Sequence, residues 1–186
     1  MAPITARGAT GSTFDCPTNP KPTARSSLPL RARALGNGDP LIGQGDLWTT
    51  QLNPVGYALD GTWATKQPWF RAATGKLTIT GRRLDGRGHF TADVPPASSY
   101  ARTGFLPSGL RFSSAGCWEV TARLRRSRVV LHVSIDGSKA AICRQLSMSL
   151  RTLALENFPP NDRLEAQERA EYDRRHCSGS RNTAGA

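Results

Sequence analysis

The chain has 186 residues, with 18 glycines and 13 prolines, and its 25 basic against 14 acidic side chains leave a net charge of +11. That length fits one domain with an appendage, and the surplus of turn formers favours short strands over long helices. No apolar run approaches the roughly 18 residues of a membrane-spanning helix, and Met1 to Asp15 lacks the apolar stretch of a secretory signal. Such a positive balance brings nucleic acid and anionic surfaces into consideration as partners. The excess is spread out: +3 over residues 1–44, +6 over 45–137 and +2 over 138–186, with one dense run at Arg123, Arg125, Arg126 and Arg128. That run reads either as a solvated hairpin turn or as an anion-binding tip.

In chain order, residues 1–44 read as a flexible arm rich in Pro, Ser and Arg, with a cluster of turn formers at Gly36-Asn37-Gly38-Asp39-Pro40. Residues 45–137 read as a domain of successive short strands. The first is Gly45 to Leu52, closed by Asn53-Pro54, and Asp60-Gly61 signals a hairpin. Lys76 to Thr80 alternates, with Leu77 and Ile79 on one face. A turn at Asp85-Gly86-Arg87-Gly88 leads to a strand from His89 to Val94, which Pro95-Pro96 ends, and Gly109 to Phe112 makes another. The strongest signal comes last. Trp118, Val120, Ala122 and Leu124 share one face; after the arginine turn, Val129, Leu131, Val133 and Ile135 share another. Two alternating segments about a short polar turn predict a hairpin. Short strands without intervening helices predict an all-β protein, an antiparallel sandwich. Residues 138–186 change character. Ile142, Leu146, Leu150 and Leu153 fall at helical spacing within 139–158, Pro159-Pro160 stops that helix, a polar helix is expected over 163–176, and 178–186 is expected to be disordered.

Catalytic signatures are lacking. HExxH, GxSxG and a Walker loop are all missing from the sequence. Gly81, Gly86 and Gly88 are turn glycines outside any βα unit. His89, His132 and His176 are scattered, and His176-Cys177 has no further ligand at metal-site spacing, so neither a metal nor a cofactor is expected. The carboxylates Asp46, Asp60, Asp85, Asp93, Glu119 and Asp136 show no spacing of an acid–base pair; Glu119 is expected to pair with Arg82 or Arg123. Trp63 and Trp69 flank Pro68 in a turn-rich stretch beside Lys66 and Arg71. They read equally as an exposed aromatic and basic patch or as core. The cysteines, Cys16, Cys117, Cys143 and Cys177, form no CxxC and allow three complete pairings or a reduced chain.

Several segments together carry a resemblance. These are Gly45-Asp46-Leu47-Trp48, Pro68-Trp69-Phe70-Arg71, Leu77-Thr78-Ile79-Thr80-Gly81-Arg82-Arg83-Leu84-Asp85, Gly104 to Phe112, and Gly116-Cys117-Trp118-Glu119-Val120-Thr121. In this order the chain resembles a group of small bacterial extracytoplasmic proteins, often of lipoprotein type and of uncharacterised function, with an immunoglobulin-like β-sandwich. The resemblance spans roughly Cys16 to Ile135. It implies a Cys16–Cys117 disulfide pinning the arm to the sandwich, with Cys143 and Cys177 free or paired with each other, and Trp118 closing the core edge. It also implies an export signal, and Thr13-Phe14-Asp15 is not a lipobox: the location is extracytoplasmic if a signal lies upstream, cytoplasmic if Met1 is the start. Residues 138–186 depart from the pattern. The leading reading is a non-enzymatic cell-surface sandwich that binds or scaffolds, with an anionic surface polymer or a protein as partner. A basic cytosolic nucleic-acid-associated protein is the alternative, and an enzyme the third reading.

Overall fold

The computed structural model describes residues 14–33, 39–58, 60–96 and 99–145, together with positions 170, 171, 175 and 177. The chain is predominantly β, in antiparallel sheets. Among the described residues nine strands run in the order β1 (Ile42–Gln44), β2 (Leu47–Thr49), β3 (Gly56–Tyr57), β4 (Trp63–Arg71), β5 (Leu77–Arg83), β6 (Phe90–Asp93), β7 (Gly104–Phe112), β8 (Gly116–Leu124) and β9 (Ser127–Ile135). One sheet has the order β1-β2-β4-β7-β6, with β3 also on β4; the other has the order β5-β8-β9.

The two sheets enclose one core, and strand alternation decides what enters it. Trp118, Val120, Ala122 and Leu124 of β8 are fully buried, and Val129, Leu131, Val133 and Ile135 of β9 join them, as the hairpin pattern predicts. The opposite layer supplies Trp63 and Trp69 of β4 and Leu106, Leu110 and Phe112 of β7. Each such side chain contributes roughly 1.5–3 kcal/mol by leaving water. The indole N–H groups of two core tryptophans are satisfied. The Trp118 indole N–H donates to the Ser114 carbonyl (3.1 Å), and that of Trp69 to the Ser108 hydroxyl (2.8 Å).

Both open sides between the layers are closed. On one, the Phe90 ring of β6 lies against the bare Cα of Gly81 in β5, where an added Cβ would fall 2.4 Å from the ring. On the other, the Asp46 N–H donates to the Ser127 hydroxyl (2.8 Å) and the Gln44 amide to the Arg128 carbonyl (3.1 Å), tying the β1–β2 turn to β9. Further along β9, Asn19 stands in for a neighbouring strand. Its Oδ1 accepts from the His132 N–H (2.5 Å) and its Nδ2 donates to the His132 carbonyl (2.8 Å).

Three features differ from the sequence expectation. The stretch around Trp63 is the nine-residue strand β4 rather than a turn region, and the last strand before β8 begins at Gly104, five residues early. Pro68 and Pro107 disguised them, because proline is ordinarily excluded from paired strands; here they stand directly opposite each other. Beside Pro68, between the short stretches that β2 and β3 cover, Gln67 takes over the pairing. Fully buried, it accepts from the Asn53 N–H (3.0 Å) and donates to the Thr49 hydroxyl (2.8 Å). The expected boundary at residue 45 falls within the β1–β2 hairpin, and part of the arm is packed. Leu28, Ala32 and Leu41 form a second small core with Trp48 and Phe70 on the outer face of the larger sheet, and Arg33 anchors the short helix α1 (Leu30–Arg33) to the Leu28 carbonyl (2.8 Å). Residues 139–145 are helical. The rest of the expected 139–158 helix lies outside the described residues, as do residues 1–13 and 34–38 of the arm, most of the expected 163–176 helix and the expected disorder of 178–186.

The cysteines pair as Cys16–Cys117 and Cys143–Cys177. The first closes a sequence separation of 101 residues and fastens the arm to the outer face of β8. Removing a cross-link over so long a loop costs about 2–5 kcal/mol. The double variant Cys16→Ser/Cys117→Ser is therefore expected to lose that much unfolding free energy in urea titrations, and Cys143→Ser/Cys177→Ser, with a separation of 34 residues, about 1 kcal/mol less.

Candidate functional site

The alternation that builds the core also sorts the candidate residues of β4. Trp63, Trp69 and Arg71 share the inner face, at 3%, 0% and 2% exposure, while Lys66 lies exposed on the outer face. Of the two readings of this stretch, the exposed patch of Trp63, Lys66, Trp69 and Arg71 is therefore not formed. Both rings are core, because a strand with period two cannot present 63, 66, 69 and 71 on one side.

The arginine run lies at the turn joining β8 and β9. Arg123, Arg125, Arg126 and Arg128 are all exposed. Arg123 and Arg128 are directly opposite each other across the ladder, a like-charge juxtaposition that costs stability. Arg125 takes a left-handed conformation, φ 56°, which for a residue with a Cβ costs about 1–2 kcal/mol. Its side chain reaches over Gly75 in the β4–β5 turn; a Cβ there would lie 3.3 Å from Arg125 Cγ.

That contact joins the hairpin tip to a cavity of about 650 Å³ at the same end of the molecule. The mouth between the sheets opens there. Leu77 of β5 and Leu106 of β7 line it from either layer, Val94, Pro95 and Pro96 from the segment after β6, and Thr74, Gly75 and Lys76 from the β4–β5 turn. Arg71 and Arg102 complete it. Arg71 ends β4 on the inward side, so its guanidinium stands in the mouth itself. Nη2 donates to the Ala101 carbonyl (2.5 Å), and Nε is buried with no acceptor. Burial lowers the pKa of Arg71 from its ordinary value, yet arginine remains protonated at any physiological pH.

Charges are sorted along the molecule. At the far end three arginines are paired, Arg83 with Asp85 (2.6 Å), Arg111 with Asp60 (3.0 Å) and Arg144 with Asp136 (4.0 Å), while Arg87 of the β5–β6 turn forms no ion pair among the described residues. Asp85 also accepts from the Cys117 N–H (3.1 Å). In mid-sheet Arg82 grips Glu119 with two bonds (2.9 and 3.2 Å), with His132 3.8 Å away; of the two expected partners, Arg82 is the one used. At the mouth, none of Arg71, Lys76, Arg102, Arg123, Arg125, Arg126 or Arg128 forms an ion pair among the described residues. Asp46, in the β1–β2 turn at this end, makes none with them either. Sequence reasoning missed Lys76 and Arg102, which no motif marks, and the mouth they line.

Among the described residues, no group of three His, Cys, Asp or Glu side chains is placed to hold a metal ion, and no helix is long and apolar enough to cross a membrane. No protein family, curated protein or solved structure matches the chain.

Two outcomes follow. Arg125→Gly relieves the left-handed strain and is expected to raise stability by up to about 1 kcal/mol, read from thermal unfolding, so this arginine is not held there by fold stability. Glu119 is kept below the usual carboxylate range, first by its bond from Arg82 and then by the charges of Arg82, His132 and Arg128, against burial. A carboxylate depressed in the folded state adds stability above its unfolded pKa, near 4.3, and that stability is lost as pH falls through the folded value. The urea midpoint of Glu119→Gln should therefore lie below wild type at pH 6, with the gap closing below about pH 4.

Proposed function

We infer that the chain is a non-enzymatic, extracytoplasmic binding module of the immunoglobulin-like sandwich type, which docks its basic end on an anionic cell-surface polymer. The observation that carries this reading is the sorting of the cations. Arg82, Arg83, Arg111 and Arg144, in mid-sheet and at the far end, have carboxylate partners, while the four arginines at the hairpin tip have none among the described residues and stand exposed together at one pole. A surface selected for solubility alone intersperses both signs; a pole with an excess of one sign attracts and orients a polyanion. Arg123 opposite Arg128, and the strained Arg125, fit a site where stability has been given up for function. Both disulfides suit an oxidising compartment. Two antiparallel sheets about one core, with buried Trp118 on β8, are consistent with the sandwich type that the resemblance implies.

The same tip favours nucleic acid as a second reading, since phosphates also neutralise arginines. One titration separates the two. Wild type should bind poly-L-glutamate with an affinity that falls steeply with salt, and Arg123→Gln/Arg125→Gln/Arg126→Gln/Arg128→Gln should lose at least tenfold and flatten the salt dependence. Failure to bind, or an unchanged variant, would remove the polymer reading. A single-stranded oligonucleotide bound tenfold tighter than polyglutamate of equal charge would instead favour nucleic acid. For the compartment, a non-reducing peptide map of fractionated host cells should find the Cys16–Cys117 cross-link in the exported fraction; free thiols in the cytosol would count against export.

A further inference from the structure

The mouth of the two-sheet core holds a second, different site. We propose that the cavity lined by Arg71, Lys76, Arg102, Leu77, Leu106 and Pro96 binds a small organic carboxylate with an apolar body, its carboxylate on the cations and its body between the sheets. This proposal is independent of polymer docking, because it rests on the cavity rather than on the hairpin tip.

The warrant begins with the burial of Arg71. Arg71 as a residue is 2% exposed, and a cation so buried is ordinarily matched by a carboxylate, because an unpaired charge is costly to remove from water. Arg71 has one backbone carbonyl, that of Ala101, and an Nε with no acceptor. Lys76 and Arg102 add two further exposed cations on the rim, without an ion-paired carboxylate among the described residues. An anion placed among them would supply the counter-charge that no described residue provides, and arginine's planar fork suits a carboxylate.

The rest of the wall selects the body. Leu77, Leu106, Val94, Pro95 and Pro96 offer apolar surface with no competing carboxylate. At about 650 Å³ the space falls within the roughly 300–1,000 Å³ of small-molecule sites. Inorganic phosphate would satisfy the charge and leave this surface wet; a neutral amphiphile would cover the surface and leave Arg71 uncompensated. Only an anion with an apolar tail uses both parts.

The test uses the full, oxidised chain and three probes: 4-phenylbutyrate, its neutral analogue 4-phenylbutan-1-ol, and inorganic phosphate. Binding is read by ¹⁵N-edited NMR, including the Arg71 Nε–H signal. The expected result is a shift of that signal by phenylbutyrate, with a dissociation constant at least tenfold lower than for either control. Lys76→Ala/Arg102→Ala, both surface changes, should weaken phenylbutyrate at least threefold while leaving thermal unfolding in place. Arg71→Met should reduce phenylbutyrate to the level of the alcohol; should that variant fail to fold, the surface pair decides. Equal binding of acid and alcohol, no shift at Arg71, or an unchanged affinity in the surface pair would overturn the proposal. The fourfold hairpin variant should retain phenylbutyrate, so this site and the polymer site stand or fall separately.

Discussion

A strand with a two-residue period must place every second side chain on the same side, and β4 obeys this one step past the point where the core ends. Trp63, Thr65, Gln67 and Trp69 fill the interior; the next inward position belongs to Arg71. Nine consecutive pairings with β7 lock that register, so the guanidinium cannot turn outward without flipping both tryptophans into water. The mouth of the molecule is charged because its centre is packed.

The same rule governs how the layers stay together. The larger sheet turns Phe70 and Trp48 outward and covers them with Leu28, Ala32 and Leu41, so a segment of polar composition is fastened by three apolar residues and a disulfide. The smaller sheet has only three strands and no packed helix among the described residues on its outer face. There Thr78, Thr80, Arg82, Glu119 and Arg123 meet solvent, and the Arg82–Glu119 pair stabilises little in so exposed a place. Stability is concentrated in the core and the cross-link, which leaves the ends free to carry charge.

The β8–β9 hairpin was legible in the sequence because its alternation is uninterrupted and its turn is polar. The Cys16–Cys117 link came from the resemblance, since spacing alone admits three pairings. β4 was hidden for a local reason: Pro68 is a breaker by every propensity, and only the matching Pro107 on the partner strand and the stand-in pairing of Gln67 make it tolerable. Neither can be seen in a window of the sequence. Once β4 is missed, Arg71 reads as a surface cation beside two exposed tryptophans. The alternation Trp63-x-Thr65-x-Gln67-x-Trp69-x-Arg71 was the available signal, and it points inward. Lys76 and Arg102 carry no signal of their own, because a mouth formed where the β4–β5 turn meets the β6–β7 connection is a property of topology.

The amide of Asn19 occupying the backbone N–H and carbonyl of His132 has a consequence for how the protein ages. That amide sits three residues from Cys16, and the bond from Cys16 to β8 holds it in place. An unpaired strand edge is a template for another chain. Reduction would do more than lower the folding free energy: it would unlatch the cover from an alternating, Val- and Leu-rich edge while the two sheets remain folded. Loss of that one bond would thus free the backbone edge around His132 to pair with another chain.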